Sequence, residues 1–309
     1  MDVSIIMMLY NQEDLVTRAL ESILSQITSY SFEIIIGDDA STDNTRIIIE
    51  SYQSRYPSII HLNEPHPNYG IVRNYQECLS RCTGDYLMGC SGDDWWHNPN
   101  KIQIQVDYMR NHQDCVLYYG GFREYYPSTG KFSSHNPIKI VGPLFESVLR
   151  CNPVCALTAC VRMSAMKQIG FDDFISQGFL VEDWPKWLGL SLLGEFGCTD
   201  EQLATYSVYN GSAHNARSYD VRLRYIDNFH KMRMYFASKV GREDELSTML
   251  EDIYMFQKGE TAIKYGIRKD ALQAFSLIHN KNLKIRLKLF ICRIPLLFHA
   301  LNYKYNRHL

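Results

Sequence analysis

Residues 90–96 read CSGDDWW, in which a glycine and two adjacent carboxylates follow the apolar run Asp85–Cys90. The run has the length and composition of a buried strand, and a helical pattern begins near Pro99. Ligands of open α/β sheets bind beyond the carboxyl ends of the strands. Asp93 and Asp94 follow the carboxyl end of this predicted strand. Carboxylates at that point suit a hard divalent cation that holds phosphate groups. The stretch therefore predicts an α/β sheet with an acidic corner at its ligand-binding edge.

Strand and helix patterns alternate on both sides of this corner. Apolar runs predict buried strands at Val3–Leu9, Phe32–Gly37, Ile59–Leu62, Asp85–Cys90 and Val116–Tyr119. Helical spacing predicts helices that begin near Gln12, Ser41, Ile71 and Pro99. Four or five successive strand–helix units predict a parallel, doubly wound sheet flanked by helices.

The alternation fades after Gly120. Residues 120–136 have the pattern of a hairpin or loop, and short helices are predicted at Leu144–Arg150, Arg162–Ile169 and Asp183–Leu193. Further short strands are predicted at Ala156–Val161, Glu195–Thr199 and Leu203–Tyr209. From Tyr219 the pattern is helical to the end, with breaks near Gly241, Gly266 and Asn280.

Length and cysteine usage set the class of protein. A chain of 309 residues can form one large α/β domain, or one domain with an appendage. Its nine cysteines show no paired framework and no CxxC spacing, which predicts reduced thiols and a cytoplasmic location. The first residues continue directly into a strand, so no signal peptide is expected.

Charge is distributed unevenly along the chain. All 34 Asp and Glu residues lie at or before Asp270, whereas seven Lys and Arg residues follow it. The asymmetry points to an anionic surface, most simply a membrane. Within residues 281–309 the longest uncharged run, Ile294–Tyr303, is shorter than the roughly 20 residues of a spanning helix. Residues 281–309 are therefore interpreted as an amphipathic interfacial helix, or as a helix packed on the domain with a solvated basic face.

Polar groups end three successive predicted strands, at Tyr10-Asn11, Asp38-Asp39 and Asp93-Asp94. Strand ends at one edge of a parallel sheet form a single crevice, so a shared ligand site is favoured over solvated caps. The first strand is not followed by GxGxxG, so a dinucleotide-binding fold is not supported. GxxxxGK[ST] is absent as well, so a P-loop is not supported.

At these strand ends the chain resembles a family 2 glycosyltransferase with the GT-A fold. The segments that match are SIIMMLYNQEDLVTRALESILSQ, FEIIIGDDASTDNT, NYGIVRNYQECLSRCTGDYLMGCSGDDWW and FLVEDWPKWLGLS, in the family's order and spacing. They extend from residue 1 to about residue 210. The resemblance implies a Rossmann-like sheet and an inverting transfer of a hexosyl or N-acetylhexosaminyl group. The expected donor is a UDP-sugar, and the acceptor a hydroxyl of a glycan or lipid-linked molecule in cell-surface polysaccharide synthesis.

The resemblance also implies which residues bind the donor. Tyr10 would stack on or border the base beside Asn11, and Met8 replaces the proline or small polar residue that relatives often carry there. Asp39 would accept a hydrogen bond from a uracil-type N–H, since an ionised acceptor strengthens that bond. Arg73 would face the diphosphate, where a guanidinium fits phosphate oxygens, unless it is a helix-surface charge.

The acidic corner corresponds to the family's DXD-like motif, although it reads Gly-Asp-Asp. By this correspondence Asp94 would ligate Mn²⁺ or Mg²⁺ on the diphosphate, and Asp93 would contact the metal, the ribose or the donor sugar. His214 lies in a polar loop from which it could reach the metal or the diphosphate. A surface position for His214 remains the alternative.

Asp183 occupies the position of the family's catalytic base. An acceptor hydroxyl that attacks the anomeric carbon needs a carboxylate within hydrogen-bond reach to take its proton. The metal meanwhile offsets charge on the leaving phosphate. The helical pattern after Pro185 places Asp183 at a helix N-terminus, which stabilises its ionised form, although capping alone would explain that position.

We expect one GT-A domain at residues 1–215, with a donor half at 1–120 and an acceptor half at 121–215, followed by a helical region at 216–309. Two alternatives remain. A nucleotide-sugar pyrophosphorylase would show a glycine-rich basic loop after the first strand, which Tyr10–Glu13 is not. A non-catalytic nucleotide-sugar-binding protein would need no base. The expected partners are a nucleotide sugar, an acceptor and, through residues 281–309, the cytoplasmic face of a membrane; no nucleic acid is expected.

Overall fold

The computed structural model describes residues 1–209 and 218–306, and the strands in these residues form one eight-stranded sheet. The strands are β1 (Val3–Leu9), β2 (Phe32–Asp38), β3 (Ile60–Leu62), β4 (Tyr86–Gly89), β5 (Cys115–Tyr126), β6 (Lys131–His135), β7 (Cys160–Arg162) and β8 (Glu195–Ser207). The order across the sheet is β3-β2-β1-β4-β7-β5-β6, and β8 pairs with β5.

Helices connect these strands. The first eight are α1 (Val16–Leu24), α2 (Thr45–Arg55), α3 (Ile71–Arg81), α4 (Lys101–Asn111), α5 (Leu144–Arg150), α6 (Met163–Met166), α7 (Phe171–Ser176) and α8 (Asp183–Leu190). Those between the early strands agree with the predicted strand–helix units. Contact clustering divides the chain into two compact units, Met1–Tyr209 and Asn210–Leu309.

The sheet is mostly parallel, as predicted. β1 pairs in parallel with β2 and with β4, β2 pairs in parallel with β3, and β5 pairs in parallel with β8. Only β6 and β7 run the other way, since β7 lies antiparallel between β4 and β5, and β6 is antiparallel to β5. The carboxyl ends of β1, β2 and β4 therefore meet at one edge, where the predicted polar groups lie.

The core explains why the early strands are continuously apolar. Alternate residues of β1, from Val3 to Leu9, pack in one cluster with the apolar face of α1, which includes Val16, Leu20 and Ile23. Because helices cover such a sheet, both faces of its central strands are buried and polar alternation is lost.

The later strands differ from their predicted bounds. β5 continues to Tyr126, and the two strands predicted at Glu195–Thr199 and Leu203–Tyr209 are one strand, β8. β8 follows β5 with shifts of register near Gly120 and Gly121. These β-bulges interrupt the apolar pattern of β8, and the sequence pattern therefore predicted two separate strands. The strand predicted at Ala156–Val161 begins later, at Cys160, after a 3₁₀ turn at Ala156–Thr158.

The second unit is helical in its described residues. It contains α9 (Tyr219–Lys239), α10 (Glu243–Lys264), α11 (Arg268–Leu277), α12 (Leu283–Arg293) and α13 (Pro295–Asn306). Its core is formed by residues of α10 to α13, among them Ile263, Phe275, Ile285, Cys292 and Phe298. In the described parts of the chain no helix has both the length and the apolar character needed to cross a bilayer.

Candidate active site

The acidic corner is held by the end of β8. Trp95 and Thr205 form a two-bond antiparallel bridge, with N–H to carbonyl distances of 3.1 and 2.7 Å. Two residues on, the Ser207 N–H donates to Asp94 Oδ1 at 2.8 Å, and the Ser207 hydroxyl donates to the Asp93 carbonyl. The orientation of Asp94 is thus set by a strand more than a hundred residues later in the chain.

Gly92 allows the corner to lie close to β1. A Cβ atom at this position would come within 2.2 Å of Leu9 Cδ2 and 2.4 Å of Gln12 Oε1. A side chain at this position would require the Leu9 and Gln12 side chains to shift. The glycine therefore brings the two carboxylates next to the segment that carries Tyr10 and Asn11.

Arg18 is a site residue that sequence reasoning missed. From α1 its guanidinium lies over the Trp95 ring, 3.7 Å from the ring centroid. Its Nη2 donates to the Asp93 carbonyl at 3.2 Å and to the Ser207 hydroxyl at 3.3 Å. Its partners lie 75 and 189 residues further along the chain, so no local pattern could have identified it.

Burial acts against ionisation of the two carboxylates of the corner. Burial raises the pKa of Asp93. Burial, and secondarily the charge of Asp93, raise the pKa of Asp94 well above its usual range, while the charge of Arg18 opposes both shifts. A bound cation would reverse this preference, because it stabilises the ionised carboxylates.

The side chains of the acidic corner supply only part of the ligands that a bound cation needs. Mg²⁺ at nucleotide sites is held by one or two carboxylates together with substrate phosphates, and Asp93 and Asp94 offer such a pair of hard oxygen ligands. Among the described residues no group of three His, Cys, Asp or Glu side chains could hold a metal ion. The pair would therefore need the diphosphate to complete the coordination. The third candidate ligand, His214, lies outside the described residues.

Asp39 fixes the loop that leads into α3. Its N–H donates to the Leu9 carbonyl at 2.9 Å, which joins the ends of β1 and β2. Its carboxylate accepts the N–H groups of Tyr69 and Gly70 at 2.7 and 2.9 Å. A carboxylate oxygen accepts more than one hydrogen bond, so Asp39 keeps acceptor capacity for a ligand N–H.

Tyr10, Asn11 and Met8 lie at the carboxyl end of β1. The Tyr10 side chain is exposed, and Asn11 adopts a left-handed backbone with φ of 53°. Asn11 Oδ1 accepts the Thr42 N–H at 2.7 Å, which ties the loop after β1 to the loop after β2. Met8 is half-buried opposite Gly37 of β2.

Arg73 lies in the first turn of α3, next to the loop that Asp39 holds. The arginine is exposed, and its guanidinium lies 4.3 Å from the centroid of the Tyr69 ring. Tyr69 in turn stacks on His66, with ring centroids 4.2 Å apart. These aromatic contacts orient the cation without neutralising it.

Asp183 is the first residue of α8 and is half-buried. Its Oδ2 accepts a hydrogen bond from Asn152 Nδ2 at 3.0 Å. Burial, followed by the charge of Glu182, raises the pKa of Asp183 to about 6, and the charge of Lys186 opposes the increase. Lys186 Nζ lies 3.4 Å from Glu182 Oε1 and 3.7 Å from the centroid of the Tyr75 ring.

Asp183 is linked to the acidic corner through the segment that carries Cys155. Asn152, which donates a hydrogen bond to Asp183, lies four residues before the 3₁₀ turn Ala156–Thr158, and that turn contacts β4, the strand that leads into the acidic corner. Burial raises the pKa of the Cys155 thiol well above its usual range, and the negative charges of Asp94 and Asp183 add to the increase.

Of the three tryptophans next to the acidic motifs, one lies at the candidate site and two are buried in the core. Trp95 is half-buried beside Arg18. Trp96 is buried under the Lys101 ammonium, and the Trp184 indole donates to the Val148 carbonyl at 2.9 Å. Only Trp95 therefore remains a candidate wall for a sugar ring.

Sequence comparisons identify relatives of the chain. The family described as Glycosyl transferase family 2 matches residues 4–164. The uncharacterized protein Rv1520 of Mycobacterium tuberculosis (strain H37Rv) is 32% identical over 203 residues, 66% of this chain and 58% of that protein. The putative teichuronic acid biosynthesis glycosyltransferase TuaG of Bacillus subtilis is 27% identical over 215 residues, 68% of this chain and 80% of that protein. The match spans 58% of the length of the mycobacterial relatives.

Solved structures show the same fold. Staphylococcus aureus TarS 1–349 in complex with UDP-GlcNAc superposes with a TM-score of 0.53 at 15% identity, over 100% of this chain and 92% of that one. The mannosyltransferase PcManGT from Pyrobaculum calidifontis, in complex with GDP-Man and Mn²⁺, superposes with a TM-score of 0.58 at 13% identity, over 97% and 86%. At such identities the likeness is one of fold.

Proposed function

Since the chain belongs to glycosyl transferase family 2 and has the GT-A fold, we propose that it is an inverting transferase. It moves a hexosyl or N-acetylhexosaminyl group from a nucleotide-diphosphate donor to an acceptor hydroxyl. The observation that carries the proposal is the half-buried Asp183 carboxylate, which accepts a hydrogen bond from Asn152 in the segment that packs against β4 through its 3₁₀ turn. A binding protein without catalysis would have no use for an ionisable carboxylate there.

Asp183 acts as the general base. The acceptor oxygen forms a bond to the anomeric carbon while the bond from that carbon to the diphosphate oxygen breaks. The hydroxyl proton moves to an Asp183 oxygen, and the nucleoside diphosphate leaves with the bonding electron pair. One displacement of this kind inverts the configuration. The hydrogen bond from Asn152 to Oδ2 orients the carboxylate that takes the proton.

The donor is a UDP-sugar. Asp39 accepts the uracil N–H, Tyr10 borders the base beside Met8 and Asn11, and Arg73 binds the diphosphate. The proposal is supported by the position of these residues at the ends of β1 and β2 and at the start of α3. Among proteins of the same fold, TarS is known in complex with UDP-GlcNAc and PcManGT in complex with GDP-Man. Binding of a guanine nucleotide in place of a uracil nucleotide would therefore correct this assignment.

Mn²⁺ or Mg²⁺ is the proposed cofactor. Asp94 would hold the ion together with the diphosphate, and Asp93 would bind either the ion or the ribose. When bound, the cation neutralises charge on the leaving phosphate. Arg18 and Ser207 contribute by fixing the Asp93–Asp94 turn, so that the carboxylates need no rearrangement when donor and metal arrive.

The acceptor is a hydroxyl of a glycan or lipid-linked molecule in cell-surface polysaccharide synthesis. The similarity to TuaG, a putative teichuronic acid biosynthesis glycosyltransferase, supports this class of acceptor. We assign the donor to residues 1–120, the acceptor to residues 121–215, and place the reaction at the cytoplasmic face of a membrane.

A screen of common nucleotide sugars tests the reaction, with release of nucleoside diphosphate measured with and without Mn²⁺. We expect UDP-sugars to be turned over only with metal. Asp183→Asn should keep donor affinity, measured by calorimetry, and lose about 10²–10⁴-fold in turnover, the usual contribution of a general base. Asp173→Asn, at an exposed carboxylate of α7, is the matched control.

Three results would contradict parts of the proposal. UDP binding that is indifferent to Mn²⁺ and unchanged in Asp94→Ala would remove the metal assignment. Turnover retained in Asp183→Asn would remove the base. Donor binding without any turnover in the unmodified protein would favour the non-catalytic alternative.

A further inference from the structure

The α12 helix has two apolar faces, and only one of them packs inside the second unit. Ile285 and Cys292 are buried in the core of that unit. On the opposite side Leu283, Leu287 and Phe290 are 83%, 56% and 54% exposed. Their spacing of four and three residues places them in one row along the helix. We call this row, Leu283, Leu287 and Phe290, the outer stripe.

Basic side chains flank the outer stripe. At 100° per residue, Lys284 lies on one side of the row, while Arg286 and Arg293 lie on the other. All three are exposed. The remaining basic residue of α12, Lys288, instead points inward, where it bonds to Glu260 and to the Tyr305 hydroxyl. The charges that remain at the surface of α12 are therefore those that border the outer stripe.

The following helix repeats the arrangement. In α13, Phe298 is buried in the core of the unit, while Leu296 and Tyr303 are exposed on the other side, with Lys304 close by. Neither helix can offset these positive charges from its own sequence, because no Asp or Glu follows Asp270. An exposed apolar row bordered by cations is the pattern of a helix lying in a membrane interface.

We propose that the exposed faces of α12 and α13 bind an anionic lipid bilayer and lie in its interface. Leu283, Leu287 and Phe290 enter the boundary between headgroups and acyl chains, and Lys284, Arg286 and Arg293 contact the anionic headgroups. The helices have 11 and 12 residues, or about 17–18 Å, so they lie on the bilayer and do not cross its core of roughly 30 Å.

Charge decides between this partner and a second copy of the chain. A two-fold symmetric contact through the outer stripe would bring two copies of the same patch together. Lys284, Arg286 and Arg293 of each copy would then face cations of the other, with no acid from α12 or α13 between them. A bilayer that contains anionic lipid supplies both the apolar layer and the opposite charge. The inference does not depend on the proposed glycosyl transfer.

Vesicle sedimentation of the full chain tests the proposal. We expect binding to vesicles of phosphatidylcholine with 30% phosphatidylglycerol and little binding to phosphatidylcholine alone, with the difference reduced by added salt. The variant Leu283→Ser/Leu287→Ser/Phe290→Ser should lose binding at least tenfold. Neutralising Lys284, Arg286 and Arg293 should weaken it by about fivefold for each side chain. Substitution is preferable to deletion, because both helices also carry core residues.

Ile47→Ser is the matched control, since Ile47 is a similarly exposed apolar residue of α2 in the first unit. Phe290→Trp should show a blue shift of its emission on anionic vesicles. Equal binding to neutral and anionic vesicles, or binding unchanged in the Ser variant, would overturn the proposal. So would a dimer in ultracentrifugation that the Ser variant dissociates, without vesicle binding by the unmodified chain. Turnover measured without vesicles reports separately on the proposed reaction.

Discussion

At the scale of single residues, the charge of Asp183 depends on four neighbours. Burial and the charge of Glu182 raise its pKa to about 6. The charge of Lys186 and the hydrogen bonds from the Trp184 N–H and from Asn152 lower it. A base in this range is ionised at neutral pH yet basic enough to accept a proton in the transition state. The same carboxylate without Lys186 would be protonated over more of the physiological range.

The first prediction concerns pH. If Asp183 is the base, kcat/KM should rise with pH through an apparent pKa near 6, because only the ionised carboxylate accepts the proton. The measurement is kcat/KM as a function of pH at a fixed Mn²⁺ concentration. A profile that stays flat between pH 5 and 7 would contradict the assignment, provided that the protein remains folded across that interval.

The second prediction concerns Lys186, which is buried beside Glu182 and Tyr75. Lys186→Met removes the positive charge that opposes the raised pKa of Asp183, so the acidic limb of the profile should move to higher pH. Lys186→Arg should move it less, because the charge is kept. A uniform loss of activity without movement of the limb would mean that Lys186 only supports packing. Lys167→Met, at an exposed lysine, is the control.

At the scale of secondary-structure elements, the acidic corner is assembled from three of them. The turn after β4 carries the carboxylates, α1 supplies Arg18, and β8 supplies Ser207. Each hydrogen bond joins segments that are distant in sequence. The geometry of the corner consequently depends on correct packing of α1 and β8. A change in either element should alter the position of the Asp94 carboxylate.

The third prediction concerns Gly92 and its matched partner Gly89. A Cβ at Gly92 would approach Leu9 Cδ2 to 2.2 Å, whereas a Cβ at Gly89 would meet only the Ile6 carbonyl oxygen, at 3.8 Å. Gly92→Ala should therefore lower the free energy of unfolding by about 1–3 kcal/mol, the usual cost of overpacking, and weaken metal-dependent donor binding. Gly89→Ala should change the unfolding free energy much less. Urea denaturation measures both, and equal effects would contradict the close approach.

At the scale of the whole molecule, three carboxylates of the candidate active site reduce stability when they ionise. Asp93, Asp94 and Asp183 all have raised pKa values, chiefly because of burial. A carboxyl with a raised folded-state pKa stabilises the fold most below its unfolded pKa, and this contribution is lost as pH rises through the folded pKa. The proposed function, which needs these carboxylates ionised at neutral pH, thus opposes stability at these positions.

The fourth prediction follows from this linkage. Asp183→Asn removes a group whose contribution to stability is lost between about pH 4 and the folded pKa of about 6. At pH 7 the variant should be more stable than the unmodified protein, by about 1–3 kcal/mol from a shift of roughly two pKa units. At pH 4 the difference should be small. Thermal unfolding at both pH values measures it, and a variant less stable at pH 7 would refute the argument.

The amino-acid sequence by itself determined the family and the main architecture. Continuous apolar runs predicted the central parallel strands, because burial on both faces removes polar alternation, and the motifs predicted family 2 and the GT-A fold. Both predictions are confirmed by the sheet, by the family match at residues 4–164 and by the solved structures. The roles of Asp39, Arg73, Asp94 and Asp183 stay predictions.

Only the tertiary structure decided which distant residues complete the site and where the surface is apolar. Arg18 and Ser207 reach the acidic corner through contacts over 75 to 114 residues, and Asn152 reaches Asp183 over 31. Such contacts leave no periodic signal, because periodicity reports the local environment of one segment. In the same way, the composition of α12 indicated a basic amphipathic segment, but only packing showed which of its two apolar faces is covered. The CSGDDWW stretch marks the site, and the elements folded around it determine its chemistry.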